Sequence, residues 1–121
     1  MKRIMILVLT FATMFGILRG MTAYGARSQE EKVVRVTAKR FEYTPKEISV
    51  KRGTTLILEL TSEDRVHGFN LPDFDVRTEV KPGEVSRIKI TVEKTGRFDF
   101  ACDVFCGSGH EDMSGTLIVT D

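Results

Sequence analysis

Apolar and polar positions alternate along most of the chain after residue 32, with the period of two that is typical of half-buried β-strands. Phe98 and Phe100, for example, alternate with Arg97 and Asp99. Similar apolar runs occupy residues 33–36, 41–43, 48–50, 56–60, 85–92 and 117–119. Turns rich in glycine separate several of these runs. The pattern predicts seven or eight short strands that form an all-β sandwich or barrel.

The first 26 residues have a different pattern, which predicts export from the cytoplasm. Lys2 and Arg3 precede an almost wholly apolar run from Ile4 to Leu18, and small residues follow. Basic, apolar and cleavable segments in this order are typical of a secretory signal, and the run is shorter than the about 20 residues of a spanning helix. We expect a signal peptide or N-terminal membrane anchor in residues 1–26, a tether in 27–32, and one periplasmic or otherwise extracytoplasmic domain in 33–121.

The charge of the exported part argues against nucleic acid as a partner. The first 26 residues carry three cations and no acid, so their removal changes the formal net charge from +1 to −2. Nucleic-acid binding requires a basic face, which a mildly acidic domain of this size lacks. The sequence also contains no defensible catalytic arrangement: we find no paired carboxylates, no nucleophile with its base, and no phosphate-binding glycine loop.

The residues that bind soft metals are concentrated in one short segment. Cys102, Cys106, His110 and Met113 lie between two predicted strands, and Met113 is the single methionine beyond residue 26. The other histidine of the chain, His67, comes at the end of another predicted strand. Two such segments can meet at the same end of a β-sandwich. Thiolate, thioether and imidazole donors together favour copper among the common metals.

Several sites remain open on the residues alone. Cys102 and Cys106 could form a structural disulfide, or join both histidines around a tetrahedral zinc ion. A mononuclear copper site could use His67, Cys106, His110 and Met113 while Cys102 stays unused. The disulfide and the zinc site give no role to Met113.

The pattern His67, Cys102-x3-Cys106-x3-His110-x2-Met113 resembles the CuA-type cupredoxin domain of cytochrome c oxidase subunit II and of nitrous oxide reductase. The similarity runs from Val33 to Thr120 and includes the segments Phe41-x-Tyr43-x-Pro45 and His67-Gly68-Phe69. It implies a cupredoxin-like Greek-key β-sandwich or barrel of seven or eight strands.

The resemblance also implies two copper ions that share one unpaired electron, with Cys102 and Cys106 as bridging thiolates. His67 and His110 would each bind one copper ion, and Met113 would be a weak ligand on the ion bound by His67. Val104 would donate its backbone carbonyl. Oxidase subunits commonly carry a glutamate at that position and a tryptophan that receives electrons, whereas this chain has Val104 and no tryptophan.

The implied function is electron transfer without a catalytic centre on this chain. Single electrons would come from a c-type cytochrome or another redox protein and pass to an oxidase or reductase, and the chain could be the electron-accepting subunit of a membrane oxidase. A periplasmic copper chaperone is the alternative. We expect the acids Asp73, Asp75, Glu111 and Asp112 at the copper end, either as a solvated face or as a docking patch for a basic partner centred on Phe69 and Leu71.

Overall fold

Nine β-strands and two short 3-10 helices form residues 30–121, the part of the chain that this computed structural model describes. The strands are β1 (Glu31–Lys39), β2 (Glu42–Thr44), β3 (Glu47–Lys51), β4 (Thr55–Ser62), β5 (His67–Leu71), β6 (Val76–Val80), β7 (Ser86–Thr91), β8 (Gly96–Ala101) and β9 (Ser114–Thr120). The 3-10 helices are Pro72–Phe74 and His110–Asp112. The all-β prediction is confirmed, with nine strands in place of seven or eight.

The strands form two sheets that enclose one apolar core. One sheet has the order β2-β1-β4-β7, and the other has the order β3-β9-β8-β5-β6. β1 is parallel to β4 and β3 is parallel to β9, whereas the other neighbours are antiparallel. Leu56, Leu58 and Leu60 of β4 are buried between the sheets. The period-two alternation therefore separates a core face from an outer face, as expected for a sandwich.

Three buried aromatic rings fill the core close to the cysteine-containing loop. Tyr43, Phe69 and Phe100 have ring centroids 4.9 to 6.0 Å apart, and each is almost fully buried. The Tyr43 hydroxyl donates a hydrogen bond of 2.6 Å to the carbonyl of Gly68. Because a buried hydroxyl needs a partner, this bond fixes Tyr43 against the start of β5.

The N-terminal boundary differs slightly from the expectation. Glu31 and Lys32 were expected in the tether, but they belong to β1, where they pair with Thr55 and Leu56 of β4. The predicted signal or anchor in residues 1–26 lies outside the described residues. Within residues 30–121, no helix has the length and apolar character needed to cross a bilayer.

The strand register determines where the loop of residues 102–113 lies. Asn70 of β5 is opposite Ala101, the last residue of β8. Since these strands are antiparallel, the start of β5 extends past the end of β8 and toward the loop. His67 is the first residue of β5, not the last residue of a strand as expected, and this register brings it to the loop.

Candidate metal centre

Backbone hydrogen bonds close the loop of residues 102–113 at its base. The Cys102 N–H donates to the Met113 carbonyl at 3.0 Å, directly beyond the pair of Ala101 and Ser114. The Met113 N–H donates in turn to the carbonyl of His110 at 3.1 Å, which forms the short 3-10 helix. The first and last candidate ligands of the loop are therefore held side by side by the ends of β8 and β9.

The two cysteines are free, buried and close together. Their Sγ atoms are 3.9 Å apart, and one ring nitrogen of His67 lies within 4.8 Å of both. Zinc and similar metals bind sulfur at about 2.3 Å, so two sulfurs at this separation can both bind one ion. Burial, and next the neighbouring Cys102, raise the pKa of Cys106 to about 11. Metal binding to the thiolate would therefore release a proton.

The remaining candidate ligands surround the same sulfurs. His110 Nδ1 is 3.6 Å and Met113 Sδ is 3.9 Å from the Sγ of Cys106. The Cys102 thiol donates to the carbonyl of Val104 at 3.2 Å. The structure thus brings together all six residues named from the sequence, with His67, Cys106 and Met113 fully buried.

His67 has one ring nitrogen with a partner and one without. Its Nε2 lies 2.6 Å from Asp64 Oδ1, while Nδ1 is buried and has no hydrogen-bond partner among the described residues. An ionised carboxylate only accepts hydrogen bonds, so this contact assigns a ring proton to Nε2. In a neutral ring with that proton, the buried Nδ1 would carry a free lone pair, which is the property of a metal ligand.

The carboxylate of Asp64 is held ionised by its hydrogen bonds. Burial by itself raises the pKa of Asp64, but three donors outweigh this effect and lower that pKa to about 2. The donors are the backbone N–H of Arg40 at 2.8 Å, the backbone N–H of Arg65 at 2.7 Å and the ring of His67. Sequence reasoning missed Asp64, because nothing in the sequence distinguishes it from the other acidic residues of the chain.

The loop approaches β5 so closely that only glycine fits at position 68. A Cβ on Gly68 would collide with the carboxylate of Asp103. That carboxylate forms an ion pair with Arg77 of β6, with contacts of 2.6 and 3.2 Å. The Gly68 N–H donates to the sulfur of Cys102 at 3.3 Å. Gly68, Arg77 and Asp103 therefore fix the first half of the loop, a role that the sequence analysis did not assign to them.

The predicted docking patch is wrong in its centre and in half of its acids. Phe69 and Leu71 are fully buried and cannot form a surface. Asp73 lies beside the segment that leads into β8, since its carbonyl accepts from Lys94 and the adjacent Phe74 ring packs on Phe98. Asp73 and Asp75 are therefore near the start of β8, whereas the loop follows its other end.

A different apolar side chain is exposed at the metal-binding end. Phe105, between the two cysteines in sequence, is 72% exposed. Its ring centroid lies 5.9 Å from that of His110, which is half-buried. Phe105 therefore connects a candidate ligand to the protein surface.

The donor chemistry and the unpartnered lone pair both fit copper. Two thiols, two imidazoles and a buried thioether form the cluster, and soft sulfur donors of this kind select copper. A tetrahedral zinc site would use the thiols and imidazoles, but it leaves the buried sulfur of Met113 without a role.

Comparisons with known proteins identify a family model and relatives that are similar to this chain. The family model for the cupredoxin-like domain matches residues 4–119. Cytochrome c oxidase subunit 2 of Thermus thermophilus is 38% identical over 88 residues, which cover 73% of this chain and 65% of that relative. Nitrous-oxide reductase of Ralstonia nicotianae is 32% identical over 97 residues, which cover 77% of this chain and 15% of that relative. The chain thus spans less than two thirds of either relative.

A solved structure agrees with the fold. A chain of a heme-copper terminal oxidase dimer, determined by electron cryo-microscopy, superposes with a TM-score of 0.72 and 28% identity. The superposition covers 76% of this chain and 65% of that chain. The cupredoxin-like sandwich expected from the sequence is therefore confirmed.

Proposed function

The chain belongs to the cupredoxin-like domain family, and on that basis we propose that His67 and the loop of residues 102–113 form a dinuclear copper centre for single-electron transfer. One observation carries the proposal. The buried, unpartnered Nδ1 belongs to a ring that has a nitrogen within 4.8 Å of two free thiols. A purely structural histidine would use both nitrogens or expose one to water.

Two features support a dinuclear centre over a mononuclear one. Cys102 lies within the cluster, whereas a mononuclear site would leave it unused. Its sulfur is 3.9 Å from that of Cys106 and near the His67 ring. Each sulfur also has its own further neighbour: the Val104 carbonyl beside Cys102, and the His110 ring beside Cys106. This distribution of donors on both sides of two shared sulfurs matches the resemblance to CuA-type domains.

The protein contributes a dry and pre-organised pocket. Bound copper would supply a redox couple that gains and loses one electron. His67, Cys106 and Met113 exclude water by their complete burial, and the hydrogen bonds at the loop base fix their positions. Fixed ligands limit structural change on electron transfer. The burial of these three residues also disfavours a copper chaperone, which needs an exposed and labile site.

We propose that the electrons come from a redox protein such as a c-type cytochrome and pass to an oxidase or reductase, outside the cytoplasm. The names of the relatives support this assignment: one is a cytochrome c oxidase subunit and one is a nitrous-oxide reductase. The half-buried His110, in contact with the exposed Phe105, offers the route by which such a partner exchanges electrons with the centre.

Copper loading of the reduced protein tests the proposed centre. We expect two copper ions per chain, a purple colour, and an electron-spin resonance spectrum in which one electron couples equally to two copper nuclei. The Cys102→Ser variant should lose this spectrum, because one shared thiolate is gone. The Ser108→Ala variant, altered at an exposed position of the same loop, should keep it. A single-copper hyperfine pattern, or an unchanged spectrum in Cys102→Ser, would contradict the dinuclear centre.

A further inference from the structure

We propose that Asp64 is a positioning residue that fixes the tautomer and orientation of His67, so that Nδ1 is available to bind metal before any metal arrives. The inference rests on the proposed copper site for the identity of the ion. It does not depend on that site for the state of the His67 ring in the metal-free protein.

The Asp64 carboxylate is itself held in place from two directions. Its Oδ2 accepts from the backbone N–H of Arg40, in the turn that follows β1, at 2.8 Å. Its Oδ1 accepts from the backbone N–H of Arg65 at 2.7 Å and lies 2.6 Å from His67 Nε2. Backbone donors do not change rotamer, so the carboxylate has a fixed orientation. The backbone therefore fixes the position of the Asp64 carboxylate, and the carboxylate fixes the orientation of the imidazole.

The same backbone segment also contacts the opposite part of the site. Phe41, next to Arg40, covers the backbone of Gly107 and Gly109, where an added Cβ would lie 3.1 to 3.4 Å from ring carbons. The turn between β1 and β2 thus touches the loop through Phe41 and touches Asp64 through the Arg40 N–H. His67 is therefore fixed relative to the loop, although no chain segment joins them directly.

Removal of the carboxylate should affect His67 in two ways. A neutral imidazole without a fixed acceptor can place its proton on either nitrogen, and a proton on Nδ1 blocks metal binding. A carboxylate that accepts from a ligating imidazole also strengthens the imidazole as a donor, and its loss typically reduces metal affinity about 10- to 100-fold. We expect the weaker donor to stabilise the oxidised centre less, so the midpoint potential should rise.

Nitrogen-15 NMR of the reduced, metal-free protein tests the tautomer directly. The chain contains two histidines, so two imidazole patterns are expected and His110 is an internal comparison. In the wild-type protein we expect His67 to carry its proton on Nε2 and a bare Nδ1. Asp64→Asn should move His67 away from this single state, whereas Glu63→Gln, which changes the exposed neighbouring acid, should leave it unaltered. A wild-type His67 with its proton on Nδ1 would overturn the inference.

Copper titration and potentiometry of the same variants test the consequence. Asp64→Asn should bind copper about 10- to 100-fold more weakly and show a higher midpoint potential, with Glu63→Gln unchanged. Equal affinity and potential in Asp64→Asn and wild type would reject the positioning role. If the wild-type ring has the expected tautomer but the protein binds no copper, the proposed function fails while the assignment of Asp64 to His67 stands.

Discussion

His67 and His110 supply the same imidazole chemistry from opposite surroundings. His67 begins β5, is fully buried, and holds Asp64 at 2.6 Å through Nε2. His110 lies in a 3-10 turn of the loop, is half-buried, and has its ring beside the exposed Phe105. One ring is thus part of the scaffold, and the other is close to the surface.

In the proposed electron-transfer centre, the two histidines would have different tasks. A ligand that is fixed by a strand and a carboxylate sets the geometry of the site. A ligand near the surface shortens the distance to a partner. We call the His67, Asp64 and Gly68 region the anchored side, and the His110 and Phe105 region the outer side. Substitutions on each side test this difference, and the largest expected effect is on the free energy of unfolding.

Removal of each imidazole from the metal-free protein should have unequal effects on stability. His67→Ala should lower the free energy of unfolding by about 2 kcal/mol or more, because it leaves a buried cavity and deprives Asp64 of a partner. His110→Ala should change it by less than about 0.5 kcal/mol, as is usual for partly exposed positions. Urea unfolding with reduced thiols measures both values. Equal losses would show that the anchored side is no better fixed than the outer side.

A methyl group at position 68 should disturb the anchored side less than the loss of His67. Gly68→Ala forces the Asp103 carboxylate out of its place beside β5 and away from Arg77. We expect a loss of about 1–3 kcal/mol, the usual cost of overpacking. Urea unfolding of Gly68→Ala, Asp103→Ala and the double variant checks this collision.

The double variant provides the control for that experiment. If the collision with Asp103 causes the loss, removal of the carboxylate should recover part of it, so the two substitutions should not be additive. Strictly additive losses would mean that Gly68 and Asp103 do not meet.

The strands and the clustering of the candidate ligands were predictable from the sequence for different reasons. Most strands have the alternation that burial of one face requires, although β6 (Val76–Val80) was missed because threonine and charged residues weaken the apolar pattern of this edge strand. The clustering of the candidate ligands was predictable because cysteine, histidine and methionine are rare in this domain. Asp64 was not, since it is one of 17 acidic residues and its role depends on the turn that faces it toward His67.

The error in the predicted docking patch could have been avoided, because the period of two already indicates that its apolar centre is buried. Residues 67, 69 and 71 of β5 share one face, because successive side chains of a strand alternate. Once His67 is assigned to a buried site, Phe69 and Leu71 must be buried with it, and they are. The exposure of Phe105 could not be deduced in this way, because it lies in a loop without a strand period.

Phe105→Ala should have the smallest effect on the structure, and it tests the role of the outer side most directly. An exposed ring contributes little to the core, so the free energy of unfolding should change by less than about 0.5 kcal/mol, and the copper spectrum should be preserved. Aromatic side chains often dominate small contact surfaces, so we expect electron exchange with a reduced c-type cytochrome to slow several-fold. Stopped-flow mixing measures this rate. Val33→Ala removes an exposed apolar side chain from β1 and serves as the control. If both variants react at the wild-type rate, the partner does not exchange electrons across Phe105 and His110, and the exposure of this ring has no part in recognition.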